Sequence, residues 1–462
     1  MSSMDPLLER GEPFTVVTDL YAFLSRAINW VVRTIPQIPQ DDSAYKDVDD
    51  LCCIVLCLYS IMESGFQRFV CPIDCRPNIK DKMVQELHQL SAGFGVKLTT
   101  EESKSKWLDE ILKKHFSSRL LELLAGYFEL VSEVSCSGKP PATYRKREHI
   151  ESFSFCPECD DRFMCLYIFK ELFPIFRPHI TSTRNTILNK IFKESIEEIR
   201  CILDENFNAK GNEAGWPYIA GHRKEEEIDA YVTASLVNKL TEWRNHQNII
   251  GLRNDFWKDQ KNIDSCIQAI SRLQETKSRI DTVMEERTGE KVDIKGSWRE
   301  CYEGRNTVHR VRTAARIVTY LRQLGIDPQR AVIREAKGFI ERAFENGKRP
   351  YCVDLTCFKD SPLALLSDIA GTIAALEMDM HLEKDCKDKN MLGRVIWLLD
   401  QQRSDGALPI LTRDLLDKHK GTNRIRPPLN QPNGHEQYNV SLTNTVDAIR
   451  VLISYLGRYL SD

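Results

Sequence analysis

The sequence predicts an all-α protein built from pairs of helices, and three observations lead to that prediction. Apolar residues recur every three or four positions at 107–131, 187–202 and 263–284, which is the period of an amphipathic helix. Runs of strand length in which apolar and polar residues alternate are nearly absent. A degenerate unit of helix, turn and helix also recurs along the chain, which is typical of a helical-repeat architecture.

Three copies of this unit align through turns that contain glycine or proline. In each copy the second helix is rich in small residues, and small residues let neighbouring helices pack closely. Each second helix is therefore predicted to line the inside of the molecule. The helix, turn and inner helix are predicted at 195–206, 215–217 and 229–243, then at 334–344, 347–350 and 367–378, and finally at 393–402, 404–409 and 441–456.

Three further apolar segments, at 14–24, 49–57 and 160–167, are predicted to be inner helices as well. Six inner helices would form an α/α toroid or another helical-pair repeat, and an open HEAT-like stack or an irregular bundle remains an alternative. No flexible linker divides the chain. We therefore expect one large domain, 1–462, with an N-terminal half at 1–170 and a C-terminal repeat half at 195–462. The segment 288–297, TGEKVDIKGS, is the candidate for a boundary or an exposed insertion.

Composition excludes several functional classes. The 462 residues are 42% hydrophobic and 28% charged, with a formal net charge of −3, so there is no basic excess of the kind that a nucleic-acid-binding protein uses. The longest apolar run, 51–62, is shorter than the roughly 20 residues of a membrane-spanning helix. The first residues have no apolar signal-peptide region. We therefore expect a cytoplasmic protein with no transmembrane segment and no nucleic-acid partner.

The 15 cysteines are an odd number, and without a secretory signal they favour reduced, mostly buried thiols. Two close pairs, Cys71 with Cys75 and Cys156 with Cys159, lie in loops that contain proline. Four thiolates of this kind would form a tetrahedral structural zinc site, and His149 is an alternative ligand beside Cys156 and Cys159. Free buried thiols remain the other interpretation.

The segment 400–409, DQQRSDGALP, resembles the repeat of terpenoid cyclases and protein prenyltransferases, in which a glutamine precedes Gly-x-Trp. Gly215-Trp216-Pro217 is similar to the end of the same repeat. The resemblance implies an α/α toroid whose central cavity faces the inner helices. Protein prenyltransferases hold zinc through an Asp-x-Cys pair, whereas Cys357 follows Asp354 by three residues here, so the prenyltransferase activity is disfavoured.

Asp47-Val48-Asp49-Asp50 resembles the Asp-x-Asp-Asp motif of class II terpenoid cyclases. The resemblance implies that Asp49 donates a proton to an isoprenoid held in the central cavity, while Asp47 and Asp50 tune its acidity. Such chemistry requires no cofactor, although magnesium would accompany a diphosphate substrate. Trp216, His222 and His435 are candidate substrate contacts, because both histidines lie in loops that precede inner helices.

A second hypothesis accounts for the same residues without catalysis. An aspartate directly before a helix caps its first N–H groups and offsets the helix dipole, so Asp49 would then be a structural cap. The chain would be a non-catalytic helical-repeat protein that binds a protein partner. No nucleotide-binding glycine loop, Gly-x-Ser-x-Gly elbow or His-Glu-x-x-His motif occurs in the sequence, which disfavours ordinary nucleotide-dependent and hydrolase chemistry.

Overall fold

The computed structural model describes residues 13–34, 207–210, 212–216, 228–245, 260–280, 285, 291–302, 306–352, 355–357, 364–366, 368–382, 385–409 and 441–459. These ranges contain eight α-helices and one 3₁₀ turn at Glu345–Gly347. The helices are α1 (Pro13–Thr34), α2 (Ala230–Asn245), α3 (Gln260–Arg272), α4 (Val311–Gln323), α5 (Ala331–Ala343), α6 (Asp368–His381), α7 (Lys389–Asp400) and α8 (Leu442–Tyr459).

The strands of the described ranges are short and form three separate antiparallel hairpins. These hairpins pair β1 (Asn208–Lys210) with β2 (Glu213–Gly215), β3 (Arg299–Tyr302) with β4 (Asn306–His309), and β5 (Leu355–Cys357) with β6 (Ala364–Leu366). Each hairpin lies in the connection that leads towards an inner helix, so it extends a turn rather than building a layer. Helices dominate the described residues, and the predicted all-α class is confirmed to that extent.

The described helices form a two-layer array. Helices α2, α4, α6 and α8 pack side by side in chain order, and we call them the inner helices. Helices α3, α5 and α7 pack behind α2, α4 and α6 respectively, and we call them the outer helices. The three helices predicted from small residues at 229–243, 367–378 and 441–456 are present as α2, α6 and α8. Their alanines allow the close packing, since Ala234, Ala375 and Ala448 have no exposed surface.

A buried threonine joins each of three turns to its inner helix. The backbone N–H groups of Trp216, Cys352 and Leu408 donate to Oγ1 of Thr233, Thr372 and Thr445 at 3.1, 3.2 and 2.8 Å, respectively. The remaining inner helix, α4, carries the buried Thr313 at the equivalent position. Thr313 follows His309 by four residues, as Thr233 follows Asp229 by four. A bond that recurs at the same place shows that these units are structural repeats.

We expect Thr445→Val to lower the free energy of unfolding by about 1–3 kcal/mol, because valine keeps the shape but leaves the buried N–H of Leu408 without its acceptor. The hydroxyl of Thr445 also donates to the carbonyl of Ser441 at 2.7 Å. Thr319→Val is the matched control, since Oγ1 of Thr319 bonds only back to Ala315 within α4. Urea titration of both variants should show the larger loss for Thr445→Val, and equal losses would contradict this role.

In two of the turns, a glutamine side chain donates to the backbone of a neighbouring helix, and a glycine allows the close approach of that helix. Nε2 of Gln274 donates to the carbonyls of Gly296 and Val332, both at 2.8 Å. Gly296 has a φ of +90°, and a Cβ there would meet the backbone of Glu335 in α5. The turn Gly296-Ser297-Trp298 thus belongs to a further repeat unit, with α3 as its outer helix and α4 as its inner helix.

This unit changes the interpretation of 288–297, which the sequence predicts as a boundary or an exposed insertion. The described part of that segment packs into the fold, because Val292, Ile294 and Ser297 are buried. Trp298 follows directly and is also buried, with its indole N–H donating to the carbonyl of Ile270 at 2.8 Å. The segment 291–297 is therefore an integral part of a repeat turn.

The N-terminal helix α1 contacts the turn at Gly406 in the same way that α5 contacts the turn at Gly296. Nε2 of Gln402 donates to the carbonyls of Phe23 and Gly406, both at 2.9 Å. Gly406 has a φ of +102°, and a Cβ there would meet the carbonyl of Arg26, three residues after Phe23. Val332 and Glu335 are also three residues apart. Since α1 packs on α8 and α7, it occupies an outer-helix position rather than the inner position predicted for 14–24.

Three described cysteines, Cys266, Cys352 and Cys386, are buried thiols outside any disulfide, in agreement with the predicted buried thiols. Burial raises the pKa of Cys266 to about 12, so this thiol stays protonated and inert near neutral pH. Among the helices that the structure describes, none is both long enough and apolar enough to cross a membrane.

Candidate functional site

The inner helices share a polar surface on the side away from the outer helices, and we call it the inner face. Its residues approach one another across the helix row through hydrogen bonds, ion pairs and ring contacts. They are Tyr231 and Asn238 of α2, Arg312, Arg316, Tyr320 and Gln323 of α4, Glu377 and His381 of α6, and Asp447 and Arg450 of α8.

One ion pair spans the row. Nη2 of Arg316 in α4 lies 2.6 Å from Oδ2 of Asp447 in α8, although α6 packs between these two helices. Neighbouring helix axes lie about 8–10 Å apart, so this contact reaches across the intervening helix α6. Asp447 follows the buried Thr445 of α8 by two residues, and Ala374 follows the buried Thr372 of α6 by two. The small side chain of Ala374 leaves room for the ion pair to cross α6.

Three guanidinium groups surround Asp447. Besides Arg316, Arg312 lies 3.7 Å from the same carboxylate oxygen, and Arg450 interacts with Asp447 while pairing with Glu377 at 3.1 Å. We call Arg312, Arg316 and Arg450 the arginine triad. Its side chains are 33, 18 and 36% exposed, so the triad is partly accessible.

Tyrosines complete the surroundings of the triad. Nη1 of Arg316 donates to the hydroxyl of Tyr231 at 3.3 Å, and the rings of Tyr231 and Tyr320 lie with centroids 6.2 Å apart. Burial disfavours the charge of Arg316, but Asp447 and both tyrosines outweigh it and raise its pKa. Glu377 raises the pKa of Arg450 against a smaller opposing effect of burial. Both guanidiniums are therefore permanently charged.

We expect Asp447→Asn to lower the free energy of unfolding by about 1–3 kcal/mol at pH 7, because the arginine triad loses its charged acceptor. Burial favours a higher pKa of Asp447, but the guanidiniums of Arg316, Arg450 and Arg312 outweigh it and hold that pKa below its usual value. A lowered carboxyl pKa stabilises the fold fully above the unfolded value of about 3.9. This stabilisation is lost as pH falls through the folded value.

The difference in stability between wild type and Asp447→Asn should accordingly shrink below about pH 4. Urea titrations at pH 7, 5 and 3.5 would measure it. Asp405→Asn serves as the control, since Asp405 pairs with Arg403 in an exposed turn and is 40% exposed. A difference that stayed constant across this pH range would show that the charge of Asp447 does not contribute.

A second group of cations lies at the C-terminal end of the inner face. Arg322 of α4 donates to the carbonyl of His381, and the exposed Arg458 of α8 donates to the carbonyl of Met380. Both guanidiniums thereby cap the last turn of α6. Burial lowers the pKa of His381, and Arg458, Arg450 and Arg322 lower it further although Glu377 opposes them, so His381 is neutral near pH 7.

The charge of these described residues is opposite in sign to that of the chain. The triad together with Arg322 and Arg458 supplies five guanidiniums, whereas Asp447 and Glu377 supply two carboxylates. The whole chain has a formal net charge of −3. This cationic cluster among the described residues is assembled by the fold from distant positions, and composition does not account for it.

Of the site residues predicted from sequence, the structure describes Trp216. Its side chain has no exposed surface and lies beside Phe207, with ring centroids 5.0 Å apart. Its backbone is bonded to Thr233, so this tryptophan packs in the core of the first described repeat. The following predicted site residues lie outside the described residues, and the predictions about them stay predictions: Asp47, Asp49, Asp50, His222, His435, Cys71, Cys75, Cys156 and Cys159.

No group of three or more histidine, cysteine, aspartate or glutamate side chains suited to a metal occurs within the described part of the chain. The zinc site predicted at the two cysteine pairs concerns other residues. In comparisons with known proteins, no family model matches this chain and no curated protein matches it in sequence.

The sequence did not point to the inner face, because its members are far apart along the chain. Arg316 and Asp447 are 131 positions apart, and Asn238 and Gln323 are 85 apart. One signal was present, since Arg312, Arg316 and Tyr320 recur every four residues on an otherwise apolar helix. Three large polar groups on one face of a helix that is otherwise buried indicate that this face lies outside the packed core.

Proposed function

We propose that the described repeats and α1 belong to a closed α/α toroid. The support is the position of α1, which meets Gln402 and Gly406 as the outer helix α5 meets Gln274 and Gly296. A helix from the start of the sequence thus continues the outer layer directly after the last inner helix. An open stack would leave the end beyond α8 free.

We further propose that this toroid is a non-catalytic binding protein whose inner face holds a protein partner. The observation that carries the proposal is the arginine triad around Asp447. A cavity for a cyclising hydrocarbon has to be apolar and dry, whereas the described part of this face is crossed by ion pairs. Repeat proteins commonly bind partners on such a concave surface.

The described inner helices also offer a precedent for a structural role of Asp49. Oδ1 of Asp229 accepts the N–H of Val232 at 2.8 Å, and Oγ of Ser441 accepts the N–H of Asn444 at 3.0 Å. Both residues cap an inner helix directly after its turn. Asp49 precedes a predicted inner helix in the same manner, and we propose the same capping role for it.

Terpenoid cyclisation is the second candidate function, and a specific observation favours it. Gln274 with Gly296 and Gln402 with Gly406 form equivalent contacts, and the second pair lies in the segment that resembles the cyclase repeat. In this proposal Asp49 donates the proton to an isoprenoid, and Asp47 and Asp50 tune its acidity. Magnesium would be needed only for a diphosphate substrate.

One experiment separates the two candidates. The tagged full-length chain is used to isolate bound proteins, and the purified chain is incubated with geranylgeranyl diphosphate and magnesium, with products measured by mass spectrometry. The binding proposal predicts one stoichiometric protein partner and no cyclised product. A cyclised product from the wild type that disappears in Asp49→Asn, with folding intact by circular dichroism, would overturn it, since asparagine keeps the cap but cannot donate the proton.

A further inference from the structure

The turn that follows α5 holds three consecutive residues in the left-handed backbone region. Glu345, Asn346 and Gly347 have φ values of 50, 55 and 83°. Glycine and asparagine adopt this region readily, whereas glutamate adopts it only under strain. Glu345 and Asn346 are exposed. The turn is therefore a strained and accessible segment that does not belong to the inner face.

Asn346-Gly347 is one of two Asn-Gly pairs in the sequence, and the other, 433–434, lies outside the described residues. In such a pair the backbone nitrogen of glycine attacks Cγ of asparagine, because glycine has no side chain to hinder the approach. The new C–N bond closes a five-membered succinimide ring, the attacking nitrogen loses its proton, and the side-chain nitrogen leaves as ammonia. Water then opens the ring at either carbonyl and gives aspartate or isoaspartate, so no oxidant, reductant or cofactor is needed.

The folded turn keeps the two reacting atoms apart. Asn346 has a ψ of 42°, and in this left-handed conformation Cβ lies beside its own carbonyl oxygen. The backbone nitrogen of Gly347 is therefore on nearly the opposite side of the Cα–C bond, whereas ring closure requires it on the same side. The N–H of Gly347 also donates to the carbonyl of Phe344 at 3.1 Å. The peptide unit must rotate and break this bond before it can react.

We propose that Asn346 is a site of spontaneous deamidation and that local opening of this turn controls its rate. The backbone bonds that hold the turn are few and long, at 3.1 Å for Gly347, 3.3 Å for Lys348 and 3.2 Å for Arg349. Opening also relieves the strain at Glu345. Segments of this kind open without unfolding of the whole domain. The modification is independent of the proposed binding function.

The isoaspartate product changes the backbone as well as the charge. Its main chain runs through the former side chain of residue 346, which lengthens the turn by one methylene group. Gly347 packs closely against α7, since a Cβ there would lie 3.1 Å from Oδ1 of Asn390. A longer backbone has little room beside Asn390. Isoaspartate should therefore weaken the contact between this turn and the start of α7.

The test compares the full-length protein in its folded state with the same chain held unfolded in urea. Both are incubated at the same mildly alkaline pH and sampled over time. Trypsin cleaves after Arg342 and Lys348, so the peptide 343–348 reports the conversion. Chromatography with mass spectrometry separates its asparagine, aspartate and isoaspartate forms. Asn346→Gln is the chemical control, because glutamine would have to close a six-membered ring, and it should show no conversion.

We expect the folded chain to convert at Asn346 about 10–1,000 times more slowly than the unfolded chain. The globally unfolded population of a domain is about 10³–10⁸ times smaller than the folded one, so a reaction that required global unfolding would be slower still. Thr445→Val separates the two routes. Its expected loss of stability raises the globally unfolded population by about 5–150-fold, but local opening at Asn346 should keep the wild-type rate.

The inference fails if the folded chain shows no conversion at Asn346 while the unfolded chain converts. Equal rates in the two states would show that the turn gives no protection. Acceleration in Thr445→Val in proportion to its measured loss of stability would assign the reaction to global unfolding and contradict local control. Each readout is a rate at residue 346 and involves no partner, so failure here leaves the proposed binding function untouched.

Discussion

Replacement of Asp379 by leucine is expected to lower the free energy of unfolding by about 3–5 kcal/mol, because it leaves a buried guanidinium without its counter-ion. Asp379 of α6 forms an ion pair with Arg394 of α7, and the two side chains are 1 and 5% exposed. The guanidinium of Arg394 also lies 4.0 Å from the ring centroid of Phe344, so the pair joins an inner helix, an outer helix and the end of α5.

The double variant Asp379→Leu with Arg394→Met separates the cost of an unpaired charge from the contribution of the pair. Two apolar side chains of similar volume remove both desolvated charges together, so the double variant should recover most of the stability lost in the single one. Urea denaturation followed by circular dichroism at pH 7 would measure both. If the double variant were as unstable as Asp379→Leu, the loss would come from packing and not from charge.

Gly406→Ala should lower the free energy of unfolding by about 2–5 kcal/mol and should weaken the packing of α1. The residue has a φ of +102°, and a Cβ would collide with the backbone of Arg26, so conformational strain and overpacking add together. Because the backbone of a helix cannot move aside locally, α1 must shift away from α7 and α8. Hydrogen exchange should therefore increase in 13–34 and in 401–409, in addition to the loss measured by urea.

Gly325→Ala is the matched control for this prediction. Gly325 has a φ of +81°, but a Cβ there would meet nothing within 4 Å. Its substitution carries the strain of a positive φ alone, about 1–2 kcal/mol, and should leave hydrogen exchange in α1 unchanged. Equal losses in the two variants would mean that the close approach of α1 to the turn at Gly406 contributes nothing.

The inner helices could be predicted from sequence because their determinants are local. Small residues at helical spacing, as in the segment around Ala374 and Ala375, are visible without any knowledge of distant contacts. The unit centred on Gly296 was missed because 22 residues separate it from Gln274, whereas Gln402 and Gly406 are four apart. The same hydrogen bond therefore joins residues of one short motif at Gln402 and Gly406, but residues of two separate segments at Gln274 and Gly296.

The position of α1 and the inner face depend on contacts between distant parts of the chain. Gln402 and Phe23 are 379 positions apart, and an apolar helix of this kind fits either layer when its sequence is considered alone. The buried threonines had a local signal, since Thr233 and Thr445 each follow a capping residue by four positions. Threonine, however, is more often a surface residue. The four-residue spacing therefore identifies the repeat only together with the hydrogen bonds that the structure shows.

The most direct test of the account is the amount of partner protein retained by tagged full-length chains that differ at one site each. Mass spectrometry would quantify the partner recovered with wild type, Arg312→Gln, Arg458→Gln and Asp49→Asn under identical conditions. We predict that both arginine variants lose most of the partner, while Asp49→Asn retains it at the wild-type level. Full retention by the arginine variants, together with an isoprenoid cyclisation that requires Asp49, would contradict the account and assign the function to a catalytic cavity.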